Sequence, residues 1–134
     1  MIVANINLPR ILRVGAGASQ QVAATLVDLN LNNPLLVTDP FMVKCGYCRR
    51  LEEQLEAGGF DYGVFADCVP DPTTDSVYAA LKVLREGRHD CVVALGGGSS
   101  MDTAKAAAVL VNRDAPMRNY KVPYLIDGGV PIIA

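Results

Sequence analysis

Alternating strand and helix signals predict a doubly wound α/β fold, a mostly parallel sheet with helices on both faces. Three observations carry the prediction. Continuous apolar runs, LLV at residues 35–37 and CVVAL at residues 91–95, read as strands buried on both faces. Segments of helical periodicity separate them, with Val77, Leu81 and Leu84 spaced at i, i+4 and i+7. Each intervening segment is long enough to return the chain to a parallel neighbour, which a hairpin turn cannot do.

In chain order, residues 10–14 read as a short strand stopped by Gly15-Ala16-Gly17. Ser19 is placed to cap a helix reaching about Asn30, with Val22, Leu26 and Leu29 on one face, and Asn32-Asn33-Pro34 breaks it. Thr38-Asp39-Pro40 ends the next strand. Residues 41–57 follow as a helix interrupted near Gly46, with Leu51 and Leu55 marking its buried stripe and Gly58-Gly59 closing it. Residues 62–65 read as a third strand. The rigid loop Val69-Pro70-Asp71-Pro72-Thr73 offers threonine caps to a helix ending near Gly87. Strand 91–95 runs into Gly96-Gly97-Gly98 and a helix over 99–111, with Met101, Ala104, Ala108 and Val111 inward. Residues 112–121 read as loop, before a Tyr124-Leu125-Ile126 fragment and a last apolar run over 131–134. That run carries no turn residue or polar tail, so a fold that continues beyond it is expected.

Composition narrows the function classes. The 134 residues are expected to form one domain, 1–134, and 51% apolar with 19% charged residues excludes a disordered or fibrous chain. A net charge of −2, with no basic block or aromatic stripe, argues against a nucleic-acid partner. The longest apolar run, residues 106–111, is far below the roughly 18 residues of a membrane span. The first residues lack the pattern of a secretory signal, so a soluble, cytoplasmic setting is expected. There the four cysteines remain thiols.

Three segments could carry chemistry. The first, LGGGSSMDTAK at residues 95–105, follows a strand and opens a helix, where open α/β sheets bind ligands. Its glycines let a phosphate approach the backbone, and free N–H groups at the helix start face the anion. Ser99 and Asp102 also fit a capping pattern, and a packing turn is the plain alternative. The second, Gly15-Ala16-Gly17-Ala18-Ser19-Gln20, is a broken dinucleotide fingerprint with Gln20 at the third glycine position. Asp39 lies about 20 residues further on, as a ribose-binding acid should. Asp39 is then either a turn residue before Pro40 or the group that reads the adenosine end while Gly96, Gly97, Gly98 and Ser99 hold the phosphates. The third, Cys45-Gly46-Tyr47-Cys48, is either a thioredoxin-like redox pair or two cysteines on one helical turn. His89, the one histidine, reads as a solvated loop residue. Lys105 is either a solvated helix residue or a cation near a cofactor.

GGGSSMDTAK at residues 96–105 resembles the signature of the iron-containing alcohol dehydrogenases. LVTDP at 36–40, VPDPT at 69–73 and the opening strand with Gly15-Ala16-Gly17 occur in that family's order and spacing. The resemblance covers the whole chain but only the family's first, Rossmann-like domain. It implies hydride transfer between a nicotinamide cofactor and an alcohol or aldehyde, and NAD is expected over NADP because Asp39 opposite a 2′-phosphate would bring like charges together. Gly96, Gly97, Gly98 and Ser99 would wrap the pyrophosphate, Asp102 would lie toward the nicotinamide carboxamide, and Asp39 would meet the adenosine ribose. Pro70 to Thr73 would border the cleft. Asp71 stands where many members have asparagine, which donates a hydrogen bond that an ionised aspartate cannot.

The family binds Fe²⁺ or another divalent metal with one aspartate and three histidines of a helical second domain. A chain with one histidine is not expected to bind that metal alone. No catalytic or metal-ligating residue is therefore assigned, and a homo-oligomer or a complementing catalytic domain is the expected partner. Two other readings stand beside this one: a truncated nucleotide-binding remnant without catalysis, and a thiol–disulfide oxidoreductase using Cys45 and Cys48.

Overall fold

A computed structural model describes residues 8–114, 116–120 and 126–134. Four parallel strands, β1 (Pro34–Val37), β2 (Gly63–Phe65), β3 (Cys91–Ala94) and β4 (Ile132–Ile133), form one sheet ordered β2-β1-β3-β4. Leu36 pairs with Val64 on one side and Val93 on the other, and Val93 pairs with Ile133. The chain leaves β1 toward one edge and β3 toward the opposite edge. Loops leaving two such strands diverge above their carboxyl ends and open a crevice.

Helices cover both faces. On one, α1 (Val22–Asp28) and α3 (Tyr47–Ala57) bring Leu26, Leu51 and Leu55 against Leu36, Cys91 and Val93. On the other, α4 (Thr74–Glu86) and α5 (Gly98–Leu110) pack Val77, Leu81, Leu84 and Ala104 against Leu35, Val37, Val92 and Ala94. Successive residues of β1 and β3 thus serve opposite cores, which is why both read as unbroken apolar runs. The remaining helix, α2 (Pro40–Lys44), is separated from α3 by Gly46 at φ 79°, so the expected interruption is a true break. Thr73 caps α4 by accepting the Ser76 N–H at 3.2 Å.

Three helix ends, those of α1, α3 and α4, follow one device. After α1, Asn30 takes a left-handed φ of 56°, the Leu31 N–H reaches the Leu26 carbonyl and the Asn30 N–H reaches Val27. Gly59 does the same after α3, and Arg88 after α4 at φ 50°. Gly87 is therefore not the left-handed residue its type implies. Its φ is −77°, and its missing side chain makes room for His89 instead.

Several expectations are corrected. Residues 10–14 form no strand: Leu12 and Val14 are exposed, and Arg13 instead bonds to the Gln21 carbonyl, Thr25 and Asp28 of the α1 region. Three apolar residues in five give strand potential, but none of the described strands pairs with this segment. Ser19 caps nothing. It lies inside a 3-10 turn, Ala18–Gln21, whose cap is Gly17 at φ 84°. The inward face of α5 is Ser100, Thr103, Ala104, Ala107, Ala108 and Leu110, with Met101 and Val111 only partly buried. A 3-10 turn, Met117–Tyr120, interrupts the expected loop. Tyr124 and Leu125 lie outside the described residues. No helix among those described is long and apolar enough to cross a membrane.

Candidate functional site

Thr38 and Asp39 follow β1 while Leu95 and Gly96 follow β3, so both loops start where the strand order reverses. The buried Thr38 hydroxyl donates to the Leu95 carbonyl at 2.7 Å. Beyond it, Oγ of Ser100 donates to Oδ2 of Asp39 at 3.2 Å. The other oxygen, Oδ1, accepts the Met42 N–H at 2.9 Å, capping α2, with Pro40 in its first turn. The Asp39 carboxylate is thereby held by both walls of the crevice.

The three glycines have different reasons. Gly96 adopts φ 144°, and a Cβ there would lie 2.6 Å from Oγ of Ser100 and 2.9 Å from Oδ2 of Asp39. The first glycine clears space for that hydrogen bond. A Cβ on Gly97 or Gly98 would meet nothing within 4 Å. These two, with Ser99, Asp39, Cys68, Val69 and Pro70, line a cleft of about 150 Å³.

The cleft has an electrostatic wall. Gly97 holds the N-cap of α5 with no side-chain bond, and the Met101 N–H bonds back to its carbonyl at 3.2 Å. The N–H groups of Gly98, Ser99 and Ser100 precede that bond at the positive end of the helix dipole, the arrangement that attracts phosphate. The expected Ser99–Asp102 capping pair does not form. Asp102 is exposed and pairs with Lys105 at 3.8 Å.

The predicted residues divide accordingly. Asp39, Pro70, Gly97, Gly98 and Ser99 share the cleft, and Gly96 backs it. Asp102 lines a separate cavity of about 420 Å³ with Thr74, Lys105, Met117 and Tyr120. Asp71 is exposed, at φ 50°, and does not line the cleft. Gly15 and Gly17 do not line it either; the turn they open is tied to α3, where Gln54 donates to the Ser19 carbonyl. Sequence reasoning missed Thr38, Cys68 and Ser100. Ser100 had a signal, since positions 100, 103, 104 and 107 form a helical stripe of small residues.

The cysteines and the histidine are governed by burial. Cys45 is exposed and Cys48 buried, and desolvation, aided by nearby Glu52, pushes the Cys48 thiol up to about 11. A redox nucleophile requires the opposite shift. Cys68 is also pushed up, chiefly by burial. His89 is half-buried rather than solvated. Desolvation lowers its pKa, and Nδ1 lies 2.8 Å from Oδ1 of Asn33.

Among the described residues, no three His, Cys, Asp or Glu side chains gather where they could hold a metal ion. The described residues do not fit a catalytic divalent metal. A nucleotide phosphate does fit the open space at Gly97 and Gly98 and the uncapped start of α5.

A parallel sheet reversing beside a glycine-rich cleft is the architecture of a Rossmann-like domain. Residues 9–134 match the iron-containing alcohol dehydrogenases, and the chain belongs to that family. It is 36% identical over 120 residues to long-chain-alcohol dehydrogenase 1 of Geobacillus thermodenitrificans, covering 90% of this chain and 30% of that protein. It is 28% identical over 131 residues to the NAD-dependent methanol dehydrogenase of Bacillus methanolicus, covering 97% and 34%. Sulfoacetaldehyde reductase of Bifidobacterium kashiwanohense, solved in complex with NAD+, superposes with a TM-score of 0.86 at 28% identity, covering 98% and 35%. The chain thus spans about a third of the length of these relatives.

Proposed function

We propose that this chain is the NAD-binding part of an iron-type alcohol dehydrogenase, interconverting an alcohol and an aldehyde or ketone. The observation that carries the reading is the meeting of Asp39 with the Gly96–Ser99 loop across the crevice of a chain in this family. When bound, the nicotinamide supplies or accepts the hydride, and the protein's part is to bind and orient it. Gly96, Gly97, Gly98 and Ser99 hold the pyrophosphate against the start of α5. Asp39 accepts hydrogen bonds from the adenosine ribose, Pro70 borders the cofactor with Asp71 beside it outside the cleft, and Asp102, one turn along α5 and beyond the phosphate cleft, lies toward the carboxamide.

NAD is preferred over NADP on electrostatic grounds. A 2′-phosphate beside Asp39 brings like charges within a few ångströms, costing up to about 4 kcal/mol at surface-like dielectric before screening. The alcohol and the metal are assigned to a complementing catalytic domain or a second chain, in a cytoplasmic setting where the four free thiols stay reduced.

The test is thermal denaturation of the purified chain with millimolar NAD or NADP. A ligand at 100 times its Kd adds about 2.7 kcal/mol, a shift of several degrees at this size. Stabilisation by NAD exceeding that by NADP supports the reading. No shift with either nucleotide removes it.

A further inference from the structure

We propose that Ser100 is a positioning residue for Asp39, and that by anchoring this carboxylate it sharpens the preference for NAD over NADP. The inference deepens the functional reading above and rests on it. Ser100 is 1% exposed, so its hydroxyl has no water to turn to, and it donates to Oδ2 of Asp39 at 3.2 Å. An ionised carboxylate only accepts, so the serine hydrogen goes to Asp39. Gly96 shows that the fold reserves this space, since a Cβ there would enter both Ser100 and Asp39.

Holding both oxygens has a consequence for recognition. With Oδ1 fixed by the Met42 N–H and Oδ2 by Ser100, the carboxylate cannot rotate away from the crevice. It keeps about two of its roughly four lone-pair sites for ribose hydroxyls, which donate. A 2′-phosphate, which only accepts, faces a charge that cannot move aside. Without Ser100 the second anchor is gone, and the side chain can turn from an incoming phosphate toward solvent.

Ser100→Ala, Asp39→Gly and the double variant are compared by the Kd of NAD and of NADP, measured by calorimetry on the full chain, with melting temperatures alongside. Ser100→Ala is expected to lower the NADP-to-NAD ratio of Kd by about two- to tenfold, the worth of one hydrogen bond. Asp39→Gly lowers it further, and Ser100→Ala adds nothing in the Asp39→Gly background. Ser100→Cys, a weaker donor of similar size, falls between serine and alanine and serves if the alanine variant folds poorly.

A ratio unchanged by Ser100→Ala and Ser100→Cys, while Asp39→Gly changes it, overturns the role of Ser100 alone. The same holds if both Kd values move in equal proportion, or if the serine effect persists without Asp39. A ratio unchanged by Asp39→Gly overturns the assignment of Asp39 and this inference together, as does failure of the unsubstituted chain to bind either nucleotide.

Discussion

Nδ1 of His89 lies 2.8 Å from Oδ1 of Asn33, tying the turn after α4 to the turn before β1. The same asparagine donates through Nδ2 to the carbonyls of Gly87 and Arg88. Asp90 accepts the N–H groups of Asn32 and Asn33 at 2.7 and 3.1 Å. This knot fixes the entry of β1 beside that of β3, at the end of the sheet opposite the candidate site.

The knot makes stability depend on pH. Burial lowers the His89 pKa in the folded state below its ordinary 6.5, against opposing effects of the Asn33 carbonyl and Asp90. Between the lowered value and 6.5 the unfolded chain binds the extra proton and the folded chain does not, so stability rises with pH there. The stabilisation is complete above 6.5 and is lost as pH falls through the folded value. Urea denaturation at pH 7.5 and 5.5 should show a loss in the unsubstituted chain that is reduced in His89→Gln. Equal losses in both would remove His89 as the cause.

Neighbouring positions after α4 should respond in opposite directions. A Cβ on Gly87 would run into the His89 imidazole, so Gly87→Ala should cost about 1–3 kcal/mol although its backbone suits alanine. Arg88, at φ 50°, carries a left-handed strain of about 1–2 kcal/mol that glycine avoids. Arg88→Gly should therefore stabilise by a net amount of about 0.5–1 kcal/mol, after the greater entropy of unfolded glycine. Denaturation midpoints at constant slope decide both.

Thiol reactivity should separate one cysteine from three. Cys45 is exposed, whereas burial encloses Cys48, Cys68 and Cys91 and raises the pKa of each. An aromatic disulfide reagent at pH 8 should label one thiol quickly in the native chain and the others only after denaturant is added. Fast labelling of two thiols, abolished by Cys48→Ser, would contradict the burial of Cys48.

The glycine loop should divide stability from binding. Gly96→Ala forces a side chain into a left-handed site and against Ser100 and Asp39, at a cost of about 1–3 kcal/mol. Gly97→Ala points into open space, so unfolding should change by no more than about 0.5 kcal/mol. Because that space is the cleft, NAD affinity should fall by about tenfold, or 1.4 kcal/mol. Melting curves with and without NAD distinguish the two effects.

By itself, the sequence determined the local elements and the chemistry at their ends. Unbroken apolar runs marked β1 and β3 because both faces of each strand are buried. Thr73 before α4, Asp39 after β1 and the glycines after β3 were legible as element ends because caps and turns act through neighbours in the chain. Tertiary structure decided what depends on distant partners. Residues 10–14 read as a strand yet join none of the described strands, and His89 looks polar and solvated until Asn33 closes over it. The order β2-β1-β3-β4 put the reversal between β1 and β3. Only that order brings Ser100 to Asp39, 61 residues away, because periodicity records which side of an element is buried and not which element covers it.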